Sequence, residues 1–242
     1  MSPRETADAP RERPAIGVLG GMGPEATVDL MARVVARMPA EDDADHVRLI
    51  VDQNPQVPSR IKALIEGTGE SPAPVLLEMA RGLASLDVAA LAIPCNTAHA
   101  YLPELVGRVD APFLDMVALT ADRLAREGHR RIGLLASTAV RITGLYERAC
   151  AARGMEQVFP VRQDEVMDII RAVKRAGAGE AERALLAEIA RELAAETDIL
   201  CLACTELSVL ADAIPAEIPR LDAMDALADE IIRIGAPERA GT

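Results

Sequence analysis

The 242-residue sequence has few aromatic side chains and a deficit of positive charge. It contains no tryptophan, two tyrosines and two phenylalanines, and its formal net charge is −12 at pH 7. Proteins that bind nucleic acid need a basic surface and, for single strands, aromatic side chains on which bases stack. The sequence therefore predicts no nucleic-acid partner. A small acidic substrate remains compatible with it, because the local charge of a site decides such binding.

Long apolar runs are also missing. No stretch approaches the roughly 20 consecutive apolar residues of a membrane span. In the first 14 residues charges alternate with prolines, and the apolar core of a signal peptide is absent. We therefore expect a cytoplasmic protein that has no membrane partner and begins with a disordered tail over residues 1–14.

Cysteine is scarce as well. The four cysteines, Cys95, Cys150, Cys201 and Cys204, are too few for a disulfide framework in a chain of this length. Cys201 and Cys204 have CxxC spacing, which leaves a redox dithiol or half of a zinc site as a rival interpretation. Because no second CxxC pair and no HxxxH pair supplies further ligands, we expect no metal.

Short apolar runs alternate with longer amphipathic stretches, a pattern typical of parallel sheets flanked by helices. The predicted strands cover residues 15–20, 47–51, 88–93, 112–114, 131–136, 158–161, 198–203 and 220–221. The predicted helices cover residues 24–38, 61–66, 75–86, 117–127, 145–153, 166–175, 180–196 and 225–234. In the first of these helices, the apolar side is expected to carry Val28, Met31, Val34 and Val35. The fold class is therefore α/β.

Two features of the first half recur in the second half. Ile16-Gly-Val-Leu resembles Ile132-Gly-Leu-Leu, and the strand that ends at Cys95 resembles the one that ends at Cys204. Such a repeat predicts two pseudo-symmetric lobes, residues 15–115 and 116–219, with residues 220–242 returning to the first. Ligands of parallel sheets bind beyond the carboxyl ends of the strands, so we expect the active site in the cleft between the lobes.

Cys95 and Cys204 both follow a strand and precede a helix. The partial positive charge of a helix N-terminus favours thiolate and is expected to lower the pKa of such a cysteine. Two thiols on opposite sides of a carbon acid could remove a proton from one face and deliver one to the other, which inverts a stereocentre. Cys150 and Cys201, inside a helix and a strand, are expected to be buried and inert.

Four segments resemble the aspartate/glutamate racemase family, most closely its aspartate racemase branch. They are Gly-Gly-Met-Gly-Pro-Glu-Ala-Thr at 20–27, Asn-Pro-Gln-Val-Pro-Ser-Arg at 54–60, Pro-Cys-Asn-Thr-Ala-His at 94–99 and Cys-Thr-Glu-Leu at 204–207. The resemblance covers residues 15–234. It implies two lobes, a homodimer, and cofactor-independent racemisation of a small-molecule amino acid with Cys95 and Cys204 as the acid/base pair.

The resemblance also implies the substrate-binding residues Met22, Asn54, Arg60, Asn96, Thr97, Thr138 and Thr205. Arg60 matches a position that can bind a side-chain carboxylate, which a guanidinium does through two hydrogen bonds. Relatives that act on aspartate often carry a second basic residue where this chain has Asp164. A negative charge there would repel a distal carboxylate and favour a neutral or basic amino acid instead.

The sequence predicts that no cofactor is bound. Its two lysines, Lys62 and Lys174, both lie in helical, charged surroundings, without the Gly/Ser-rich context of a pyridoxal phosphate site. The Gly-Gly-Met-Gly segment lacks the spacing of the nucleotide-binding loops. His99 is the histidine nearest to a proposed thiol, and it is expected to support the site rather than to react. Glu206 could tune Cys204.

The leading hypothesis is therefore an aspartate racemase that needs no pyridoxal phosphate and transfers protons between two thiols. Three alternatives stay open. The first is a racemase of a neutral or basic amino acid. The second is a decarboxylase or isomerase of the same superfamily, and the third is a two-lobed binding protein without catalysis.

Overall fold

The computed structural model of the protein describes residues 14–177 and 179–236, so residues 1–13 of the expected tail lie outside it. The first sheet contains β1 (Ala15–Gly20), β2 (Leu49–Gln53), β3 (Val88–Ala92) and β4 (Phe113–Leu114) in the order β2-β1-β3-β4. The second contains β5 (Arg131–Ala136), β6 (Glu156–Val158), β7 (Ile199–Ala203) and β8 (Arg220–Asp222) in the order β6-β5-β7-β8. All six strand pairs are parallel, and the two sheets share one topology. The predicted two-lobed α/β fold is confirmed.

Helices cover both faces of the two sheets. In the first half they are α1 (Pro24–Arg37), α2 (Ala73–Ala84), α3 (Leu102–Leu105) and α4 (Met116–Arg126). In the second half they are α5 (Thr138–Thr143), α6 (Leu145–Ala151), α7 (Gln163–Ala176), α8 (Glu180–Ala194), α9 (Thr205–Ser208) and α10 (Ala223–Gly235). A π-helical turn at Lys62–Glu66 and a 3₁₀ helix at Asn96–Tyr101 complete the segments around the site.

The predicted apolar side of α1 is wrong for three of its four residues. Val28, Met31 and Val35 are 60%, 39% and 55% exposed, whereas Val34 is buried together with Leu30. The helix has a second apolar stripe with the same spacing, and that stripe packs against β1 and α10. Periodicity alone cannot choose between two such stripes, because the choice depends on the partner helix.

The final helix of each half packs on the opposite lobe. Strand β4 belongs to the first sheet, yet α4 packs in the core of the second lobe beside β5. Strand β8 belongs to the second sheet, yet α10 packs in the core of the first lobe beside β1. The prediction that residues 220–242 return to the first lobe is therefore wrong for residues 220–222, which pair with β7 of the second sheet. Because α4 and α10 also touch each other, the two lobes are interlocked.

The topology brings the ends of four central strands together. In each sheet the chain order reverses between the two middle strands, β1 and β3 in one lobe and β5 and β7 in the other. Open parallel sheets bind ligands at such a point, beyond the carboxyl ends of the strands. The segments that follow these four strands contain residues 21–23, 95–97, 137 and 204–206.

Candidate active site

A cavity of about 100 Å³ lies between the lobes at the ends of these strands. We call it the thiol cavity. Its walls are formed by Met22, Ser59, Arg60, Ile61, Cys95, Asn96, Thr97, Ser137, Ile170, Lys174, Ala203, Cys204, Thr205 and Glu206. Both lobes contribute to the walls, so the site exists only when they are packed together. Its volume suits a small metabolite and not a polymer.

The two proposed acid/base cysteines occupy equivalent places in the two lobes. Cys95 precedes the 3₁₀ helix after β3, Cys204 precedes α9 after β7, and both have extended backbone torsion angles. Their side chains line the same cavity and are 6% and 8% exposed. Each half of the internal repeat seen in the sequence thus contributes one thiol to the cavity wall.

The immediate partners of the two thiols differ. The sulfur of Cys95 lies 3.3 Å from the hydroxyl of Thr97. The sulfur of Cys204 donates a hydrogen bond to Oε2 of Glu206, at 3.0 Å. Burial, and after it the charge of Glu206, raises the pKa of Cys204 well above its ordinary value. The sequence had predicted the opposite direction for this thiol. Helix α9 has only four residues, and its N-terminus does not outweigh burial beside a carboxylate.

An ion pair stands beside Cys204. The ammonium of Lys174 lies 2.6 Å from Oε1 of Glu206, whose other oxygen accepts from the thiol. Burial acts to raise the pKa of Glu206, but the nearby Lys174 charge lowers it. Burial likewise acts to lower the pKa of Lys174, and the charge of Glu206 raises it. Both groups are therefore charged at neutral pH.

Lys174 is a residue of the site that the sequence did not predict. It had been assigned to charged helical surroundings, yet it lines the cavity together with Ile170, four residues earlier on α7. Met167 and Ile170 are both buried, so the same face of the helix points into the core. A lysine one turn beyond two buried apolar residues was the signal that could have identified it.

Arg60 joins two loops at the edge of the cavity. Its guanidinium donates to the carbonyl oxygens of Val57, Pro58 and Met22, at 3.4, 3.0 and 2.9 Å. Its buried Nε atom has no hydrogen-bond partner. Within residues 14–177 and 179–236 no carboxylate pairs with it. The cavity therefore contains one positive charge that none of the described carboxylates neutralises.

Two further polar groups of the cavity wall lack a partner. The amide nitrogen of Asn96 and the hydroxyl of Ser137 are buried, each residue being 4% exposed, and neither forms a hydrogen bond within the described residues. The amide of Asn96 is oriented by Tyr146, whose hydroxyl donates to Oδ1 at 2.7 Å. Buried polar groups without partners are costly, and at a cavity wall they are suited to receive a ligand. Ser137 was not predicted from the sequence.

Comparison with known proteins identifies the family of the chain. The profile of the Asp/Glu/Hydantoin racemase family matches residues 19–231. The chain belongs to this family. It is similar to an aspartate racemase of Picrophilus torridus, with 32% identity, a TM-score of 0.85 and coverage of 93% of this chain and 96% of that one. It is also 26% identical to the broad specificity amino-acid racemase RacX of Bacillus subtilis (strain 168), over 90% of this chain and 96% of RacX. An aspartate racemase homologue from Pyrococcus horikoshii OT3, at 18% identity and a TM-score of 0.71, covers 91% of this chain and 98% of that one and shares the fold. The protein is thus a racemase, which is an isomerase.

Seven of the ten residues that the sequence nominated for this racemase line its thiol cavity. They are Met22, Arg60, Cys95, Asn96, Thr97, Cys204 and Thr205. The loop that carries Met22 is held by Thr27, whose hydroxyl accepts from the N–H of Gly21 at 2.9 Å. Gly21 has φ +91°, and a Cβ there would collide with the backbone of Asn54. Glycine at 21 therefore lets the loops after β1 and β2 meet under Arg60.

Asn54, Thr138 and Asp164 do not line the cavity. Oδ1 of Asn54 accepts from the backbone of Gln56 and shapes a turn. The N–H of Thr138 points to the sulfur of Met167. Asp164 is exposed in the first turn of α7. The α7 residues that reach the cavity, Ile170 and Lys174, lie on later turns, so the charge of Asp164 does not meet a ligand in this cavity.

The remaining cysteines lie in the core of this racemase. Cys150 and Cys201 are fully buried in the second lobe. Burial raises the pKa of Cys150 to about 11 and that of Cys201 well above its ordinary value. Cys204 belongs to a different core cluster from Cys201, and all four thiols are free. Cys150 and Cys201 are therefore buried in the core, as the sequence predicted.

The described residues contain neither a cluster of metal-binding side chains nor a helix that could span a membrane. No group of three or more His, Cys, Asp or Glu side chains in residues 14–177 and 179–236 could hold a metal ion. In the same part of the chain, each helix is too short or too polar to cross a bilayer.

Proposed function

We propose that this racemase inverts the α-carbon of aspartate by proton transfer between Cys95 and Cys204, without a cofactor. One observation carries the proposal, namely that equivalent strand ends of the two lobes place one thiol each in a single cavity. A two-base inversion needs an acid and a base on opposite faces of one carbon atom.

The proton transfer is balanced within the site. A thiolate takes the α-proton, so a sulfur–hydrogen bond forms as the carbon–hydrogen bond breaks and its electron pair stays on the substrate. The opposite thiol then gives its proton to the other face of the planar carbanion. The product leaves with inverted configuration, and the two sulfurs have exchanged their protonation states.

The polar wall of the cavity supports binding of the α-carboxylate. The unpartnered amide of Asn96 and hydroxyl of Ser137 can donate to it, and Thr97 and Thr205 add hydroxyls to the same wall. Donors fixed before the reaction stabilise the negative charge that spreads onto the carboxylate when the α-proton leaves. The hydroxyl of Tyr146 fixes the amide of Asn96, so little reorganisation is needed.

The charges of the cavity favour an acidic side chain. Apart from the reacting thiolate, its charged residues are Arg60, Lys174 and Glu206, which together carry a net positive charge. Arg60 lacks an acidic partner among the described residues, and a distal carboxylate would supply one. The sequence objection to aspartate came from Asp164, which is exposed and does not line the cavity.

A second candidate is a racemase with a wider choice of substrates. A larger groove of about 660 Å³ adjoins the thiol cavity and shares Lys174, Thr205 and Glu206 with it. We call it the outer groove. A side chain longer than that of aspartate could extend into it past the Lys174–Glu206 pair. The name of the related RacX, a broad specificity amino-acid racemase, agrees with this candidate.

Incubation of the purified protein with single amino acids tests both candidates. Each enantiomer of aspartate, glutamate, alanine, lysine and arginine is supplied without added cofactor, and both enantiomers are quantified by chiral chromatography. We expect aspartate to have the highest kcat/KM, and Cys95→Ser and Cys204→Ser to abolish its turnover. Similar rates across the panel would favour the second candidate. Full activity of both variants, or no turnover of any amino acid, would contradict the proposal.

We propose that the racemase forms a homodimer, as the family resemblance implies, and that it acts in the cytoplasm, as the sequence predicts. Sedimentation equilibrium of the purified chain measures the mass in solution directly, and a mass equal to that of one chain at micromolar concentration would contradict the dimer.

A further inference from the structure

The two thiols of the site differ in one respect that the two-base reaction does not require. Cys204 has a carboxylate in contact with its sulfur, whereas the hydrogen-bonding neighbour of Cys95 in the described structure is the neutral hydroxyl of Thr97. The backbones of the two cysteines are equivalent, so the difference comes from Glu206.

Glu206 is held rigidly in the position where it accepts from the thiol. One oxygen pairs with Lys174 at 2.6 Å, and the other accepts from Cys204 at 3.0 Å. Lys174 comes from α7 and Glu206 from α9, so two elements fix the pair. The pair separates the thiol cavity from the outer groove, because both residues line both spaces.

We propose that Glu206, anchored by Lys174, is a positioning residue that keeps the proton of the resting site on Cys204 and leaves Cys95 to act as the base. This inference rests on the proposed two-thiol reaction. It adds that the free enzyme has a preferred protonation state, and therefore one enantiomer that it is ready to accept.

Electrostatics and hydrogen bonding both support this assignment. A thiol donates well to a carboxylate, whereas a thiolate 3.0 Å from the same carboxylate would be repelled by it. The positive charge of Lys174 acts in the opposite sense, but its ammonium contacts Glu206 directly. The remaining charged or titratable groups of the cavity wall are the guanidinium of Arg60 and the thiol of Cys95. The raised pKa of Cys204, caused by burial and then by Glu206, agrees with a resting thiol.

The preference has a kinetic consequence. The enantiomer whose α-proton faces Cys95 meets the resting enzyme, and its turnover leaves the proton on Cys95 and a thiolate at Cys204. Water must then return a proton to Cys204 and accept one from Cys95 before the next cycle. Racemisation has an equilibrium constant of one, so kcat/KM is equal in the two directions. The preference therefore appears as different kcat and KM values that compensate each other.

Alkylation of each thiol as a function of pH tests the proposal without relying on racemase activity. The full chain is treated briefly with iodoacetamide, and peptide mass spectrometry gives the modified fraction of Cys95 and Cys204 separately. In Glu206→Gln we expect the pH midpoint for Cys204 to fall by about one unit, because the repelling charge is gone and Lys174 remains. In Lys174→Met we expect it to rise. In Glu206→Asp, which keeps the charge, the pH midpoint for Cys204 should lie between those of wild type and Glu206→Gln.

Two controls separate this role from a general disturbance of the fold. Cys95 is the internal control, and its profile should change much less than that of Cys204 in each variant. Glu25→Gln removes the same charge from the wall of the outer groove, where Glu25 is exposed and has no contact with the thiol. Its profiles should match those of wild type.

The possible outcomes are distinct. Opposite shifts of Cys204 in Glu206→Gln and Lys174→Met support the proposal, because a loosened fold would move both variants in one direction. An unchanged Cys204 midpoint in Glu206→Gln, or equal shifts of both cysteines, would overturn it. If the shifts occur but no amino acid is racemised, the proposed function fails while the role of Glu206 stands.

Discussion

Nδ1 of His99 lies 3.0 Å from the carbonyl oxygen of Cys95, the residue four positions before it. Nε2 of the same ring accepts a hydrogen bond from the N–H of Met116 at the start of α4. The ring proton is therefore on Nδ1, which donates a hydrogen bond to the carbonyl oxygen of Cys95. The ring is buried and does not line the thiol cavity. His99 therefore connects the backbone of one cysteine to a helix that packs on the opposite lobe.

The second lobe has the same arrangement with different side chains. Ser208 lies four residues after Cys204, and its hydroxyl is 3.3 Å from the Cys204 carbonyl oxygen and 3.0 Å from Asp222. Asp222 caps α10 through the N–H of Met224 and pairs with Arg33 at 2.9 Å. Each cysteine backbone is thus tied to the start of a helix that crosses to the other lobe.

Removal of the His99 ring should destabilise the protein and misplace Cys95. His99→Ala leaves the N–H of Met116 without a partner, removes one of two hydrogen bonds to the carbonyl of Cys95 and creates a cavity, so we expect a loss of about 2–4 kcal/mol. Urea unfolding measures the loss, and initial racemisation rates measure the effect on the site. His129→Ala, at a partly exposed histidine whose nearest carboxylate is Glu127 at 3.6 Å, should change stability by about 0.5 kcal/mol or less. Equal losses in the two variants would contradict the role of His99.

The same histidine should make stability depend on pH. Burial lowers the pKa of His99 below its ordinary value of 6.5, against the opposing hydrogen bond to Cys95. Below pH 6.5 the unfolded chain therefore binds a proton that the folded protein does not, and acid favours unfolding. The contribution is complete above pH 6.5 and is lost as pH falls toward the pKa of the folded state. The slope reaches about 1.4 kcal/mol per pH unit for one group.

Urea unfolding at several pH values between 7.5 and 5.5 checks this dependence. Other groups titrate as well, so the comparison is with His99→Gln, which retains a donor and an acceptor but cannot ionise. The variant should lose less stability than wild type over this interval. Parallel curves for the two proteins would show that His99 does not contribute.

Asp222 should matter far more than a surface aspartate of the same helix. Asp222 is 8% exposed, and its replacement by alanine removes the most buried of the three carboxylate partners of Arg33, the cap of α10 and the contact with Ser208. We expect a loss of about 3 kcal/mol. Asp229→Ala removes a carboxylate that is 44% exposed and pairs with Arg37 and Arg123, and should cost about 1 kcal/mol or less. Chemical denaturation of both variants gives the comparison.

Arg60 should control the preference for an acidic side chain. In Arg60→Lys the charge remains, but the planar guanidinium that donates to Met22, Val57 and Pro58 is lost. We expect kcat/KM for aspartate to fall about 10- to 100-fold. The rate with alanine, measured on the same preparation, should change much less. A uniform fall for both substrates would instead indicate that Arg60 only supports the two loops.

The parts of the fold that the sequence predicted well are the buried strands. The bounds of β5 agree with the apolar run at 131–136, and both proposed thiols follow central strands, because parallel strands covered on both sides are continuous apolar runs. Helix α5 was missed because its segment Thr138–Thr143 contains four β-branched residues, which favour strands. Tertiary packing overrides that preference.

The part of the site that the sequence did not predict depends on contacts between distant segments. Lys174 joins the site only because α7 packs with its Met167 face toward the cavity, and the pairing with Glu206 needs two elements to meet. The unpartnered state of Asn96 and Ser137 likewise follows from burial and not from a motif. Conversely, the sequence nominated Asp164 by position along the chain, whereas the turn of the helix directs it outward.

The fate of the α-proton in D₂O tests the two-thiol account most directly. The protein is incubated with L-aspartate, and the deuterium content of each enantiomer is measured at early times by mass spectrometry after chiral separation. We predict that the D-aspartate formed carries deuterium at the α-carbon, while the remaining L-aspartate keeps its protium, because different thiols serve the two faces. Deuterium appearing in both enantiomers at equal rates from the start would indicate a single base and contradict the account.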